Sequence, residues 1–274
     1  MTLSVETFTF VAALMRRRSA VDLFAGKEYL VESRLTPLAL EAGHGGVDEY
    51  VNTLRDLRHS AELDRVVEAL TTNETSWFRD GASFQALTGH LIPTLIHDRP
   101  ELTVLRVWSA ACSSGQEPYS IAMALVDALP GVRIKISATD ISRAVLSRAR
   151  AGRYNQLEVN HGLPVGMLVR HFARVGTEWE LSPNIRSMVT FSRRNLLSSP
   201  PPEGPFDIIF MRNVLMYFDL STRASVLRQV RTSMSPQGFL MMGAAESTVG
   251  VDDAWETIMM GRSVVYRVKQ GRAA

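Results

Sequence analysis

The stretch TVLRVWSAACSSGQEPYS, residues 103–120, decides the fold. Thr103 to Ser109 is short and rich in β-formers. A loop of small residues follows, Ala110 to Gly115. Pro118 suits the first turn of a helix. Ile121 to Leu129 continue that helix, and Pro130-Gly131 end it. Strand, small-residue loop and helix together predict the first unit of an α/β sheet.

The same alternation continues toward the C-terminus. Arg133 to Thr139 reads as the next strand, and Ile141 to Ala151 as a helix closed by Gly152. Val189 to Ser192, Phe206 to Met211 and Phe239 to Met242 are further strands, with a helix from Ser221 to Met234 between the last two. A parallel, helix-covered sheet is expected. Val264 to Arg267 reads as a closing antiparallel edge strand. Residues 153–188 interrupt the alternation, punctuated by Gly162, Pro164, Gly176 and Pro183, which predicts a small insertion with a hairpin around Gly176. Pro200-Pro201-Pro202 reads as a stiff surface turn.

Residues 1–90 show helical spacing only. Its apolar positions are Phe8, Val11, Ala12 and Met15, then Tyr29, Leu30, Leu35 and Leu38. Tyr50, Leu54, Leu57, Leu63, Val66, Val67 and Leu70 continue it, and Gly43, Gly45 and Gly46 mark a turn.

Composition excludes several classes. The chain has 274 residues, 46% hydrophobic and 21% charged, which suits a folded globular protein and not a disordered one. The single Cys112 excludes an intramolecular disulfide and a multi-cysteine zinc site, and fits a reducing cytoplasm. No apolar run reaches the ~20 residues of a membrane span, and no secretory signal is read. Residues 1–70 carry 8 Lys and Arg against 11 Asp and Glu, a net of −3; residues 141–200 carry 9 Arg against 3 Glu, a net of +6. The basic region either steers an acidic partner or is a solvated surface. No nucleic-acid motif accompanies it.

Open α/β sheets bind ligands beyond the carboxyl ends of their strands, where Ala110 to Glu117 falls. The loop has no G-x-G-x-x-G and no phosphate-binding Lys, which disfavours a dinucleotide or a nucleoside triphosphate. Asp140 ends the second strand. It suits either ribose hydroxyls or, like Ser142, the cap of the following helix. Glu117 either favours the helix N-terminus or meets a ligand ammonium. Cys112 reads as a small buried thiol. Thr71 to Arg79 places Asn73, Thr75 and Arg79 beside Trp77-Phe78, either as ligand contacts or as a helix cap followed by core aromatics.

Taken together, these stretches resemble the CheR family of chemotaxis receptor methyltransferases. Ala69 to Arg79 is similar to the family's segment joining its helical and catalytic domains, and Val107 to Ser120 to its cofactor loop. Ala138-Thr139-Asp140-Ile141 is similar to its ribose-binding strand end. Asn195-Leu196 and Phe206 to Asp219 complete the set. The resemblance spans nearly the whole chain, and five motifs in order are more specific than any one.

The resemblance implies a doubly wound, Rossmann-like methyltransferase sheet with a small β-subdomain, preceded by an all-α domain. Residues 1–90 would form the helical domain and linker helix, residues 91–274 the catalytic domain, with the insertion at about 160–186. The implied cofactor is S-adenosyl-L-methionine, with S-adenosyl-L-homocysteine as product. Asn73, Thr75 and Arg79 would hold the methionine portion, Glu117 the amino-acid end, Asp140 the ribose, and Asn195 and Leu196 the adenine. Arg212 and Asn213 would close over the cofactor. Arg79 and Tyr217 would be catalytic, orienting the acceptor, and no metal is implied.

The implied partner is the cytoplasmic helical region of a methyl-accepting chemotaxis receptor, whose glutamates become methyl esters. Lys27 and Arg34, seven residues apart, are candidates for docking it. The implied protein is cytoplasmic, monomeric and not inserted in a membrane. Gln116, Met211 and Ala244 replace a Glu, a Cys and a His common in the family. The stretch from Phe172 to Leu181 is shorter than in members that dock on a receptor's C-terminal peptide, which implies the tether-independent type. A small-molecule methyltransferase and a non-catalytic signalling module that binds the same cofactor are the alternatives.

Overall fold

The computed structural model describes residues 3–55, 61–198 and 200–269. They fall into two units, one within 1–72 together with 217–222 and one within 73–216 together with the residues after 222. The second unit therefore begins earlier than the 90/91 border suggested by the helical pattern.

Among the described residues, the first unit holds four helices, α1 (Val5–Ser19), α2 (Glu28–Glu41), α3 (Val47–Leu54) and α4 (Ala61–Leu70). Ser4 starts α1 by accepting the Thr7 amide at 3.2 Å, and Asp64 of α4 holds Arg18 at 2.6 Å. Each helix buries one stripe: Val11, Leu14 and Met15; Val31, Leu35 and Ala39; Tyr50, Val51 and Leu54; Leu63, Val66, Val67 and Leu70. Each valine, leucine or methionine among them contributes roughly 1.5–3 kcal/mol if fully buried. On α2 the stripe follows i, i+4, i+8 spacing from Val31. Tyr29, expected inside, is 64% exposed because it lies on the opposite face. Leu57, part of the expected pattern, lies outside the described residues.

The second unit opens with α5 (Gly81–Ala86), a π-helical turn at Leu87–Leu91 and α6 (Ile92–Asp98). Then come β1 (Val104–Ala110), α7 (Gln116–Ala128), β2 (Arg133–Asp140) and α8 (Arg143–Ala151). Ser142 caps α8, and Gly152 closes it in the left-handed region. Next are β3 (Arg153–Asn155), α9 (Gln156–Asn160), α10 (Val165–His171), β4 (Phe172–Val175), β5 (Glu178–Leu181), α11 (Pro183–Arg186) and β6 (Val189–Arg193). The chain continues through β7 (Phe206–Met211), a 3-10 turn at Leu215–Tyr217, α12 (Leu220–Thr232), β8 (Met234–Met242), β9 (Trp255–Met260) and β10 (Ser263–Val268).

Seven strands form one sheet in the order β6-β2-β1-β7-β8-β10-β9. The first five are parallel, and β10 runs antiparallel to both neighbours. All six residues of β7 are buried, as expected for a central parallel strand covered on both faces. Strand order reverses at β1, with β2 on one side and β7 on the other. That places the switch point, and the crevice beyond the strand ends, beside Ala110 and Met211.

Two expectations are corrected. Val264 to Arg267 is antiparallel, as read, but it is not the edge of the sheet. β9 takes the edge. Glu256, Thr257 and Met259 of β9 face outward, so apolar alternation is weak and hides the strand. The insertion is a three-stranded sheet, β3-β5-β4, that starts at Arg153, where the alternation breaks, and not at about residue 160 as the resemblance implied. Its hairpin turns at Gly176, with Val175 paired to Glu178.

Candidate functional site

Five loops leave the carboxyl ends of the parallel strands, after Ala110, Asp140, Arg193, Met211 and Met242. Most residues singled out in the sequence fall on these loops or beside them. Glu117 follows β1, Asp140 ends β2, Asn195 and Leu196 follow β6, and Arg212 and Asn213 follow β7.

The loop after β1 is held in an unusual shape. Ala111 and Ser113 have φ of 60° and 50°, a region costly for side-chain-bearing residues. Gly115 has φ of 95°, and an added Cβ would lie 3.0 Å from Ala149 Cβ and 3.1 Å from the Tyr154 hydroxyl. A glycine is therefore required there. Asp140 stabilises the loop: Oδ2 accepts the Ser113 amide at 2.9 Å and Oδ1 accepts the Ser142 amide at 2.9 Å. From the β-subdomain, Tyr154 donates to the Ser114 carbonyl at 2.9 Å.

The segment 73–79 packs against this loop. Ser113 Oγ donates to the Asn73 carbonyl at 2.7 Å, and the Phe78 amide donates to Ser120 Oγ at 3.1 Å. Trp77 is buried edge-on against Tyr154 and Phe172, at 4.8 and 5.4 Å between ring centroids. No helix starts at Thr72 or Asn73, so the helix-cap alternative does not hold, although Trp77 is indeed a core aromatic. Thr75 is half-buried, and Arg79 donates to the Glu74 carbonyl at 3.3 Å.

Arg212 joins these parts. Its side chain is only 1% exposed. Nη1 donates to Glu117 at 3.1 Å, while Nη2 donates to the Arg79 carbonyl and to Asp80, each at 2.7 Å. Ser109 donates to the other Glu117 oxygen at 2.8 Å. Burial nevertheless raises the Glu117 pKa, against the pull of Arg212 and the Ser109 hydrogen bond. Cys112 is buried, and its pKa is raised well above the usual thiol value by burial, then by the Asp140 and Glu117 carboxylates.

The structure thus gathers the 73–79 segment, Glu117, Asp140 and Arg212 into one network. Asn195 turns its own loop, its Oδ1 accepting the Leu197 amide at 3.0 Å. Tyr217 ends the 3-10 turn and is grouped with the helical unit. Lys27 and Arg34 also belong to the helical unit. Lys27 is exposed ahead of α2, but Arg34 is half-buried and donates to the Thr71 carbonyl at 2.7 Å. The sequence motifs gave no individual role to Ser109, Ser113, Asp80 or Glu246. They support the loops by contacts across 8 to 132 residues of chain, for which no spacing rule exists.

A mostly parallel sheet with an antiparallel strand, a small-residue loop without a phosphate-binding lysine and acidic groups at adjoining strand ends define a Rossmann-like methyltransferase. The comparisons agree. Residues 73–264 match the model for the CheR methyltransferase SAM binding domain, and residues 6–71 the CheR methyltransferase all-alpha domain. The chain belongs to the CheR methyltransferase family. It is 37% identical to the chemotaxis protein methyltransferase Cher2 of Pseudomonas putida, over 93% of this chain and 95% of that protein. It is 36% identical to chemotaxis protein methyltransferase 1 of Pseudomonas aeruginosa, over 96% and 97% respectively. The Escherichia coli chemotaxis protein methyltransferase is 36% identical, over 89% and 85%.

The residues present fit S-adenosylmethionine. Glu117 is a carboxylate for which burial outweighs the pull of Arg212, Ser109 and Arg79. The ammonium of a bound cofactor would complement that carboxylate. The loop after β1 offers backbone without bulky side chains.

Proposed function

We propose that this enzyme transfers a methyl group from S-adenosylmethionine to glutamate side chains in the cytoplasmic helical region of a chemotaxis receptor. The products are glutamate methyl esters and S-adenosylhomocysteine. The observation that carries the reading is the match to both family domains in order, from residue 6 to residue 264, with relatives named as chemotaxis methyltransferases.

The bound cofactor supplies an electrophilic methyl on a sulfonium. A glutamate carboxylate is already ionised at neutral pH, so the protein need not remove a proton. Its work is positioning, which supplies at most ~7–11 kcal/mol. Glu117 holds the cofactor's ammonium and Asp140 its ribose hydroxyls. Asn195 and Leu196 meet the adenine, while Asn73, Thr75 and Arg79 hold the methionine end. The Arg212 guanidinium is committed to Glu117, Asp80 and the Arg79 carbonyl. It serves the cofactor by fixing those groups, and Asn213 closes beside it. By resemblance, Arg79 and Tyr217 orient the acceptor carboxylate through hydrogen bonds.

The protein acts in the cytoplasm as a monomer of the tether-independent type. One feature supports the tether-independent type. The hairpin of β4 and β5 has only two residues between its paired ends. Among the described residues, no helix is long and apolar enough to cross a membrane.

Incubation with methyl-labelled cofactor and receptor-bearing membranes tests the proposal. Base-labile label on the receptor is expected. Label in small molecules, or no transfer, overturns it.

A further inference from the structure

Five backbone N–H groups converge on one carboxylate that no motif reading assigned. Glu246 Oε2 accepts from Asn213 at 2.6 Å and from Gly243 at 2.9 Å. Its Oε1 accepts from Val214 at 2.9 Å, Leu215 at 2.8 Å and Met216 at 3.3 Å. The donors come from two loops, one leaving β7 and one leaving β8, which are neighbours in the sheet.

Consecutive N–H groups pointing to one spot repel one another unless an anion sits among them. An ionised carboxylate is acceptor-only and offers about four lone-pair sites. Its bonds to N–H are about twice as strong as neutral ones. The β7 loop needs this support because Asn213 sits at φ of 57°, a conformation that persists only when its surroundings over-determine it. The β8 loop is built around the same contact. A Cβ on Gly243 would lie 2.8 Å from Glu246 Oε2 and 3.0 Å from the Asn213 nitrogen. Only glycine lets the two loops approach so closely.

We propose that Glu246 is a positioning residue for donor binding: it preforms the Arg212–Asn213 loop without itself touching the cofactor. The inference rests on the reading that this loop borders the S-adenosylmethionine site. Glu246→Gln would place an amide N–H₂ among the same donors. S-adenosylhomocysteine binding to the variant should weaken by about tenfold. KM for S-adenosylmethionine should rise by a similar factor, while kcat falls much less. That split separates positioning from general loss of folded enzyme. Gly243→Ala, which pushes on the same carboxylate, should shift binding in the same direction.

Calorimetry on the unaltered protein comes first. No heat with S-adenosylhomocysteine overturns the underlying reading. Binding by wild type with equal affinity in Glu246→Gln, or a loss carried by kcat alone, overturns the role of Glu246. If the variants do not fold, hydrogen exchange on the wild type decides. Amides 213–215 should exchange slowly without ligand, and fast exchange there overturns the proposal.

Discussion

Arg212 and Glu117, 95 residues apart in sequence, meet at 3.1 Å with the arginine side chain almost wholly buried. The same guanidinium closes on Asp80 and on the Arg79 carbonyl. Removing it strands a buried carboxylate and a carbonyl together. Breaking a buried pair from one side costs about 3–5 kcal/mol. Arg212→Ala should lower the unfolding free energy of the second unit by that amount in urea titrations. Arg212→Lys should recover only part, because an ammonium cannot span three acceptors as a planar fork does. Full recovery by lysine would remove the geometric argument.

Glu117 carries a pH dependence whose sign is fixed. Its folded-state pKa lies above the ordinary 4.5 because burial disfavours the charge. Its contribution to stability is therefore present below that ordinary value and lost as pH rises through the folded value. Donor binding pulls the other way, since an ammonium favours the ionised carboxylate. Affinity for S-adenosylhomocysteine should fall as pH drops through the raised value. Binding there should release a proton, seen as calorimetric heats that vary with the buffer's ionisation enthalpy. Glu117→Gln should bind more weakly at neutral pH and without that dependence. A wild-type affinity flat from neutral to mildly acidic pH would separate Glu117 from the ammonium.

What the sequence made legible follows from local rules. Phe206 to Met211 announced itself because a central parallel strand is apolar on both faces. Gly152 was readable because a helix end in the left-handed region favours glycine. β9 was hidden, because an edge strand with an exposed face needs no sustained apolar run. The site residues placed by motif are those on the loops themselves. Asp80 and Glu246 act on loops far along the chain, and neither local propensity nor period encodes such a pairing. In the basic stretch 141–200, Arg148 and Arg153 pair with Glu158 and Glu180, Arg186 also with Glu180, and Arg170 with Asp127; the pairs with Glu158 and Glu180 are already inside the net of +6, so they leave the excess standing. A count of charges does not reveal which are already matched.

Cys112 should be chemically silent. Burial and two nearby carboxylates keep its thiol protonated, and the thiolate is the reactive form. Iodoacetamide at pH 8 should leave the folded protein unlabelled over hours and modify it fully in urea, read by intact mass. Rapid labelling of the native protein would contradict the raised pKa.

Lys27 and Arg34 should separate, although their spacing suggested a joint docking face. The Arg34 guanidinium donates to the Thr71 carbonyl at 2.7 Å and to the Ala69 carbonyl at 3.4 Å, supporting the end of α4. Cationic groups are favoured at a helix C-terminus, and a hydrogen bond from a charged group is worth about 1.5–3 kcal/mol. Arg34→Glu should therefore lower the thermal midpoint of the helical unit whether or not a receptor is present. Lys27 is exposed, so Lys27→Glu should leave that midpoint within a degree or so. If Lys27 docks the acidic substrate helix, its reversal should slow receptor methylation, and added salt should narrow the gap from wild type. Unchanged methylation in Lys27→Glu at low salt would move the docking surface elsewhere on the molecule.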